Sequence, residues 1–174
     1  MPVAGKSPEM EMNAWTLTLL IGAGATMVID VWAIARRRLF GIAPPDYGLV
    51  GRWFSQIVLG GRFRHDRISA APAVRGERWI GWIAHYLIGI AFAGLLPAFW
   101  GLAWIHEPTI GPALLVGVGT VAAPFLLMQP GMGAGLAARR TPRPAAARLQ
   151  SLVTHAIFGF GLYAAGLAAR HLTV

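Results

Sequence analysis

The chain has 174 residues, 56% of them hydrophobic and 13% charged, with a mean hydropathy of +0.56. A soluble domain carries roughly 25% charged residues, so this composition excludes an ordinary soluble domain and points to the membrane class. There is no cysteine, which excludes disulfides, thiolate metal sites and cysteine nucleophiles. The net charge of +8 would suggest nucleic acid on a soluble protein. Here thirteen of the 15 Lys and Arg fall in two segments, Arg36 to Arg78 and Arg139 to Arg148. That clustering between apolar runs is the positive-inside pattern, and nucleic acid is not an expected partner.

Residues 1–13 are short and mixed. They lack a basic n-region, and no small-residue cleavage site ends the apolar run that follows. The first span is therefore expected to be retained rather than cleaved. It covers about residues 14–35 and ends at Arg36-Arg37-Arg38. Gly22, Thr26 and Asp30 recur at intervals of four and share one helical face. A carboxylate inside a span costs on the order of 3 kcal/mol on insertion scales, so Asp30 should face protein or water. The simpler reading is that Asp30 lies near the helix end and pairs with the arginines.

The loop 36–78 carries most of the basic charge. Pro44-Pro45-Asp46 reads as a helix start with Asp46 as its cap. Val50, Trp53, Phe54, Ile57 and Val58 then recur at helical spacing, and Gly60-Gly61 ends the run. This pattern predicts a short amphipathic helix on the cytoplasmic membrane face. The arginines beside the spans and after this helix, Arg36, Arg37, Arg38, Arg62 and Arg64, are candidate contacts for anionic lipid.

The second span, about 79–100, is apolar from Trp79 to Trp100, with an indole at each end and a single ionisable residue inside, His85. Pro97 is a candidate kink. A short connection, Gly101 to Ile110, makes an antiparallel hairpin with the third span, about 111–129. At Gln129-Pro130-Gly131 two readings stand. Either the helix ends and the following glycines form a loop, or the span is discontinuous and its freed carbonyls line a site. The loop 130–148 is basic. The fourth span, about 149–169, places Ser151, His155, Gly159 and Tyr163 on one face. The whole chain, 1–174, reads as a single integral membrane domain of all-α class: a four-transmembrane-helix bundle with one interfacial helix. Both basic loops would be cytoplasmic and both termini periplasmic. Two short echoes suggest a duplicated hairpin: Ile21-Gly22-Ala23-Gly24 with Val116-Gly117-Val118-Gly119, and His85-x-x-x-Gly89 with His155-x-x-x-Gly159.

Depth follows from the helical rise of about 1.5 Å per residue. Asp30 lies about 9 Å in from Arg36, His85 about 10 Å in from Arg78, and His155 about 10 Å in from Arg148. Three ionisable residues on three spans thus share one level, and Gln129 is placed to join them from the third. They form a candidate intramembrane polar cluster, responsive to protons or cations. Asp30, His85 and His155 are also a candidate metal set, and His85 with His155 a candidate haem pair. A purely structural hydrogen-bond network is the plain alternative. Ser151, His155 and Asp30 contain the residue types of a hydrolytic triad. However, Ser151 is one turn from His155 on the same helix and no G-x-S-x-G is present, so no catalytic residue is assigned. The partners expected are the lipid bilayer and either a second copy or a larger membrane complex.

Four motifs carry a resemblance: Gly61-Arg62-Phe63-Arg64-His65-Asp66, Gly81-Trp82-Ile83-Ala84-His85-Tyr86, Gln129-Pro130-Gly131-Met132-Gly133-Ala134-Gly135, and His155 through Tyr163. Together they resemble an uncharacterised family of small bacterial inner-membrane proteins, a domain of unknown function, over about Gly22 to Tyr163. The resemblance implies a four-helix bacterial membrane protein. It brings no substrate and no catalytic residues.

Overall fold

The computed structural model describes residues 8–171, with side chains from Ala14 onward. All regular structure among them is helical. Helix α1 runs Pro8–Phe40, α2 Tyr47–Gly60, α3 Glu77–Ala93, α4 Leu95–Trp100, α5 Ala103–His106, α6 Ile110–Gly119, α7 Gln129–Met132 and α8 Pro144–Arg170. Four stretches are long and apolar enough to cross a membrane: Ala14–Phe40, Glu77–Trp100, Ile110–Met132 and Pro144–Arg170.

The first and fourth spans are longer helices than the apolar runs alone suggest. Arg36-Arg37-Arg38 continues α1 instead of ending it, because arginine is a good helix former and its charge limits depth, not conformation. Pro144 occupies the first turn of α8, where its missing N–H costs nothing. In the second span the break falls at Gly94, between α3 and α4 and three residues before Pro97. In the third span the helix passes through Gln129-Pro130 and stops at Met132, where Gly133 adopts φ 97°. Its irregular part lies earlier, in a turn at Thr120–Val121 and a π-helical segment at Pro124–Met128.

Helix α1 is central. One side packs on α3 and the other on α8, and α6 packs on the far side of α8. The apolar core lies in the half of the bundle remote from the basic loops. There Leu17, Ile21, Leu96, Ile105, Val116, Phe158 and Leu162 are almost wholly enclosed. Much of the rest of the apolar surface is exposed, including Leu19, Val31, Leu87, Leu115 and Leu149. Lipid is the solvent that suits such a surface.

Helix α2 starts as its residues dictate. Asp46 Oδ1 accepts from the Gly48 and Leu49 amides at 2.9 and 3.4 Å, and Gly61 closes the helix at φ 63°. The face it buries overlaps the expected stripe at Trp53 and adds small residues beside it. Gly51, Trp53 and Ser55 are buried, whereas Val58 and Leu59 are exposed. The cause is close backbone approach to α3. A Cβ on Gly51 would overlap the Glu77 carbonyl oxygen, and one on Gly81 would overlap the Tyr47 carbonyl oxygen. Small residues let helices approach in this way where apolar surface gives little drive to associate. The α2–α3 contact is clamped at its base by Arg52, whose Nε and Nη2 donate to Glu77 Oε2 and Oε1 at 2.8 and 2.7 Å.

Candidate functional site

The ladder between α1 and α3 sets the site. Gly22 faces Ile90, and Thr26 lies against Gly89. One turn further along, Asp30 meets the next residues of α3. His85 Nε2 is 3.0 Å from Asp30 Oδ1, and the Tyr86 hydroxyl donates to Asp30 Oδ2 at 2.9 Å. Helix α2 adds a third group. Its first residue, Tyr47, is fixed by the Asp46 cap and the Gly51–Gly81 contact. The Tyr47 hydroxyl lies 3.0 Å from His85 Nε2 and donates to Asp30 Oδ1 at 3.4 Å. Trp82 closes the aromatic side, with its ring centroid 4.3 Å from that of Tyr47 and 5.8 Å from that of His85.

The chemistry of the triangle follows from its distances. Carboxylate oxygen and imidazole Nε2 are both acceptors unless a proton lies between them. At 3.0 Å one proton therefore sits on either Nε2 or the carboxyl group. The Tyr47 hydroxyl hydrogen is free to turn to whichever of the two lacks it. Burial pushes the Tyr47 phenol well above its ordinary range, and the charge of Asp30 and the hydrogen bond to it push the same way. Tyr47 thus stays a neutral donor through the physiological range. Asp30 and His85 are mostly enclosed, with 18% and 13% of their side chains exposed. Asp30, Tyr47 and Trp82 line one end of a cleft of about 600 Å³ that continues past Pro44, Pro45 and Arg78.

The other sequence-derived candidates lie elsewhere. His155 Nδ1 is 3.1 Å from the Thr120 hydroxyl and 3.2 Å from the Gly117 carbonyl oxygen. Gln129 donates to Ser151 at 3.4 Å. The expectation that Asp30, His85 and His155 form one metal-binding set is corrected. Among the described residues no group of three His, Cys, Asp or Glu is placed to hold a metal ion. His155 points into the α6–α8 contact because Gly159, one turn away, packs directly on Gly117. A shared depth on three helices does not bring three side chains together when their faces differ. The haem pairing of His85 with His155 has no support in this arrangement, since the two imidazoles share no neighbour: one is engaged by Asp30 and Tyr47, the other by Thr120 and Gly117. Of the five arginines expected at anionic lipid, Arg37, Arg38, Arg62 and Arg64 are exposed, and Arg36 is buried.

Tyr47 and Tyr86 were missed as site residues. The available signal was the need of a buried carboxylate for donors, met by the residue next to His85 and by the first residue after the Asp46 cap.

Two of the four motifs of the resemblance, 61–66 and 129–135, also meet each other. The segment 61–66 lies across the end of the third span: the His65 amide donates to the Gly131 carbonyl at 2.9 Å, and a Cβ on Gly133 would overlap the Asp66 carbonyl oxygen. Trp53 Nε1 fixes the same segment through the Phe63 carbonyl at 2.8 Å and covers Gly131. A family model described as "Protein of unknown function (DUF2938)" matches residues 19–169. The chain belongs to that family. The match spans all four membrane helices and every residue of the Asp30 cluster. No curated protein and no solved structure matches the chain.

Proposed function

We propose that this multi-pass membrane protein binds and releases a proton, or admits a small cation, at Asp30, with His85 as its exchange partner. One observation supports the reading above the others. The Asp30 carboxylate is gathered by three side chains from two helices and lines a cleft. Intramembrane carboxylates that face protein or a cleft are characteristic of proton and ion paths. Tyr47 and Tyr86 hold the carboxylate in place, and the shared proton between Asp30 and His85 is the mobile element. The role assigned is non-enzymatic: a small permease or an accessory subunit. Assembly with a second copy or a larger complex fits a bundle this small, whose four spans enclose little volume of their own. The bacterial inner membrane, with both basic loops cytoplasmic and both termini periplasmic, is the placement that the charge distribution favours.

The test is difference infrared spectroscopy of the protein in lipid nanodiscs, titrated over about pH 4 to 9, where imidazole and carboxyl groups exchange protons. A carboxyl band should change with pH, vanish in Asp30→Asn and move in His85→Gln. A spectrum that is flat in pH, or one unaffected by Asp30→Asn, would leave the cluster as a static tie between helices. Reporter fusions at Pro72 and Pro142 should both read as cytoplasmic; a periplasmic signal from either overturns the orientation.

A further inference from the structure

Arg36 is a guanidinium with 5% of its surface exposed. The ion pairs among the described residues are Arg52 with Glu77 and His85 with Asp30, so no carboxylate there neutralises it. The groups that approach it are neutral oxygens. Its Nη2 donates to the Ala43 carbonyl at 3.2 Å, and the Gln150 amide, turned with its oxygen inward, accepts from Nη1 and Nη2. Its Nε has no partner among the described residues. Arginine keeps its charge in proteins, and a buried charge facing only neutral dipoles is an expensive arrangement. One turn back on the same face of α1, the buried Trp32 Nε1 is likewise without a partner among the described residues. Both residues line a second cleft, of about 650 Å³, between the end of α1 and the start of α8. Arg143 lines it from the opposite wall. The remaining walls are largely apolar, with Phe40, Ile42, Leu149 and Val153 all substantially exposed.

We propose that this cleft holds the phosphate of an anionic phospholipid, with Arg36 and Arg143 supplying charge, Trp32 and Arg36 supplying N–H donors, and one acyl chain lying along Phe40, Leu149 and Val153. The occupant is argued from complementarity. The lining offers two cations and no carboxylate, and two of its residues carry buried donors that have no partner among the described residues, so the cleft calls for an anion. Its apolar walls and its place at the basic end of two spans call for a tail on that anion. The Asp30 cluster opens on the other cleft, although its Tyr47 lies within electrostatic reach of Arg36.

The experiment is native mass spectrometry and thermal unfolding of the purified full chain in neutral detergent, with phosphatidylglycerol, phosphatidylcholine or inorganic phosphate added separately. One phosphatidylglycerol should be retained and should raise the unfolding temperature, while phosphatidylcholine should do neither. Trp32→Phe keeps an aromatic ring and removes the donor, and should weaken retention roughly tenfold, the worth of one hydrogen bond to a charged acceptor. Arg143→Ala should weaken it by a similar factor and is too exposed to threaten folding. Equal retention of the two lipids, or unchanged retention in both variants, overturns the proposal. Full stabilisation by inorganic phosphate alone also overturns it, by making the cleft a site for a soluble anion. Arg36→Gln serves as a further arm: the variant, if stable without lipid, should lose the preference for phosphatidylglycerol.

Discussion

Tyr86→Phe is the sharpest probe of the Asp30 cluster, because it removes one hydroxyl and leaves the ring. The ring keeps its edge contact with His85, at a centroid distance of 5.5 Å. What disappears is the 2.9 Å bond to Asp30 Oδ2. A hydrogen bond to a charged group is worth about 1.5–3 kcal/mol, and Asp30 is mostly enclosed, so the upper part of that range applies. Tyr47→Phe also removes one hydroxyl, but its bond to Oδ1 is long at 3.4 Å, and Oδ1 keeps His85 at 3.0 Å. Its loss should cost about 1 kcal/mol. Equilibrium unfolding in mixed micelles at neutral pH would rank the two variants. Repeating Tyr86→Phe in an Asp30→Asn background should reduce its cost to about 1 kcal/mol, that of a hydrogen bond to a neutral acceptor, since the coupled charge is gone. A larger cost for Tyr47→Phe than for Tyr86→Phe, or an undiminished cost in the Asn background, would refute this account of how the carboxylate is held.

Gly81→Val should push α2 off α3, since even a Cβ there overlaps the Tyr47 carbonyl oxygen; a destabilisation of about 3 kcal/mol or more is expected in the same unfolding assay, and Tyr47 should move away from His85 and Asp30 with its helix. Glu77→Gln breaks the two-pronged contact with Arg52 and should lower stability by about 1–2 kcal/mol, less in high salt, because the pair is partly exposed at 20% and 13%. His155→Ala should loosen the α6–α8 contact, seen as faster amide exchange around Gly117, while the infrared response at Asp30 should match that of the unsubstituted protein.

The spans and the start of α2 were legible, because each depends on local composition. Asp46 after two prolines and Gly61 after Gly60 needed no tertiary information to cap α2. Azimuth was another matter. Depth along a helix is one coordinate, and the direction a side chain faces depends on which neighbour its helix meets. His85 and His155 each have a glycine one turn away, and in both cases that glycine marks a helix–helix contact. Gly89 lies on Thr26, whereas Gly159 lies on Gly117. The two histidines therefore belong to two different helix pairs, which a single sequence did not specify. The buried face of α2 was partly hidden for a related reason: an apolar stripe does not reveal that Gly51 makes the closest approach to α3 while Val58, at the end of the stripe, is left exposed.

The order of the chain gives the Asp30 contacts a consequence for biogenesis. Asp30 leaves the ribosome before Tyr47, and well before His85 and Tyr86. While α1 enters the bilayer its carboxylate has none of the three partners it later acquires. The nascent α1 should therefore linger beside the insertion machinery until α3 arrives, and a chain truncated before Glu77 should integrate less completely than the same truncation carrying Asp30→Leu.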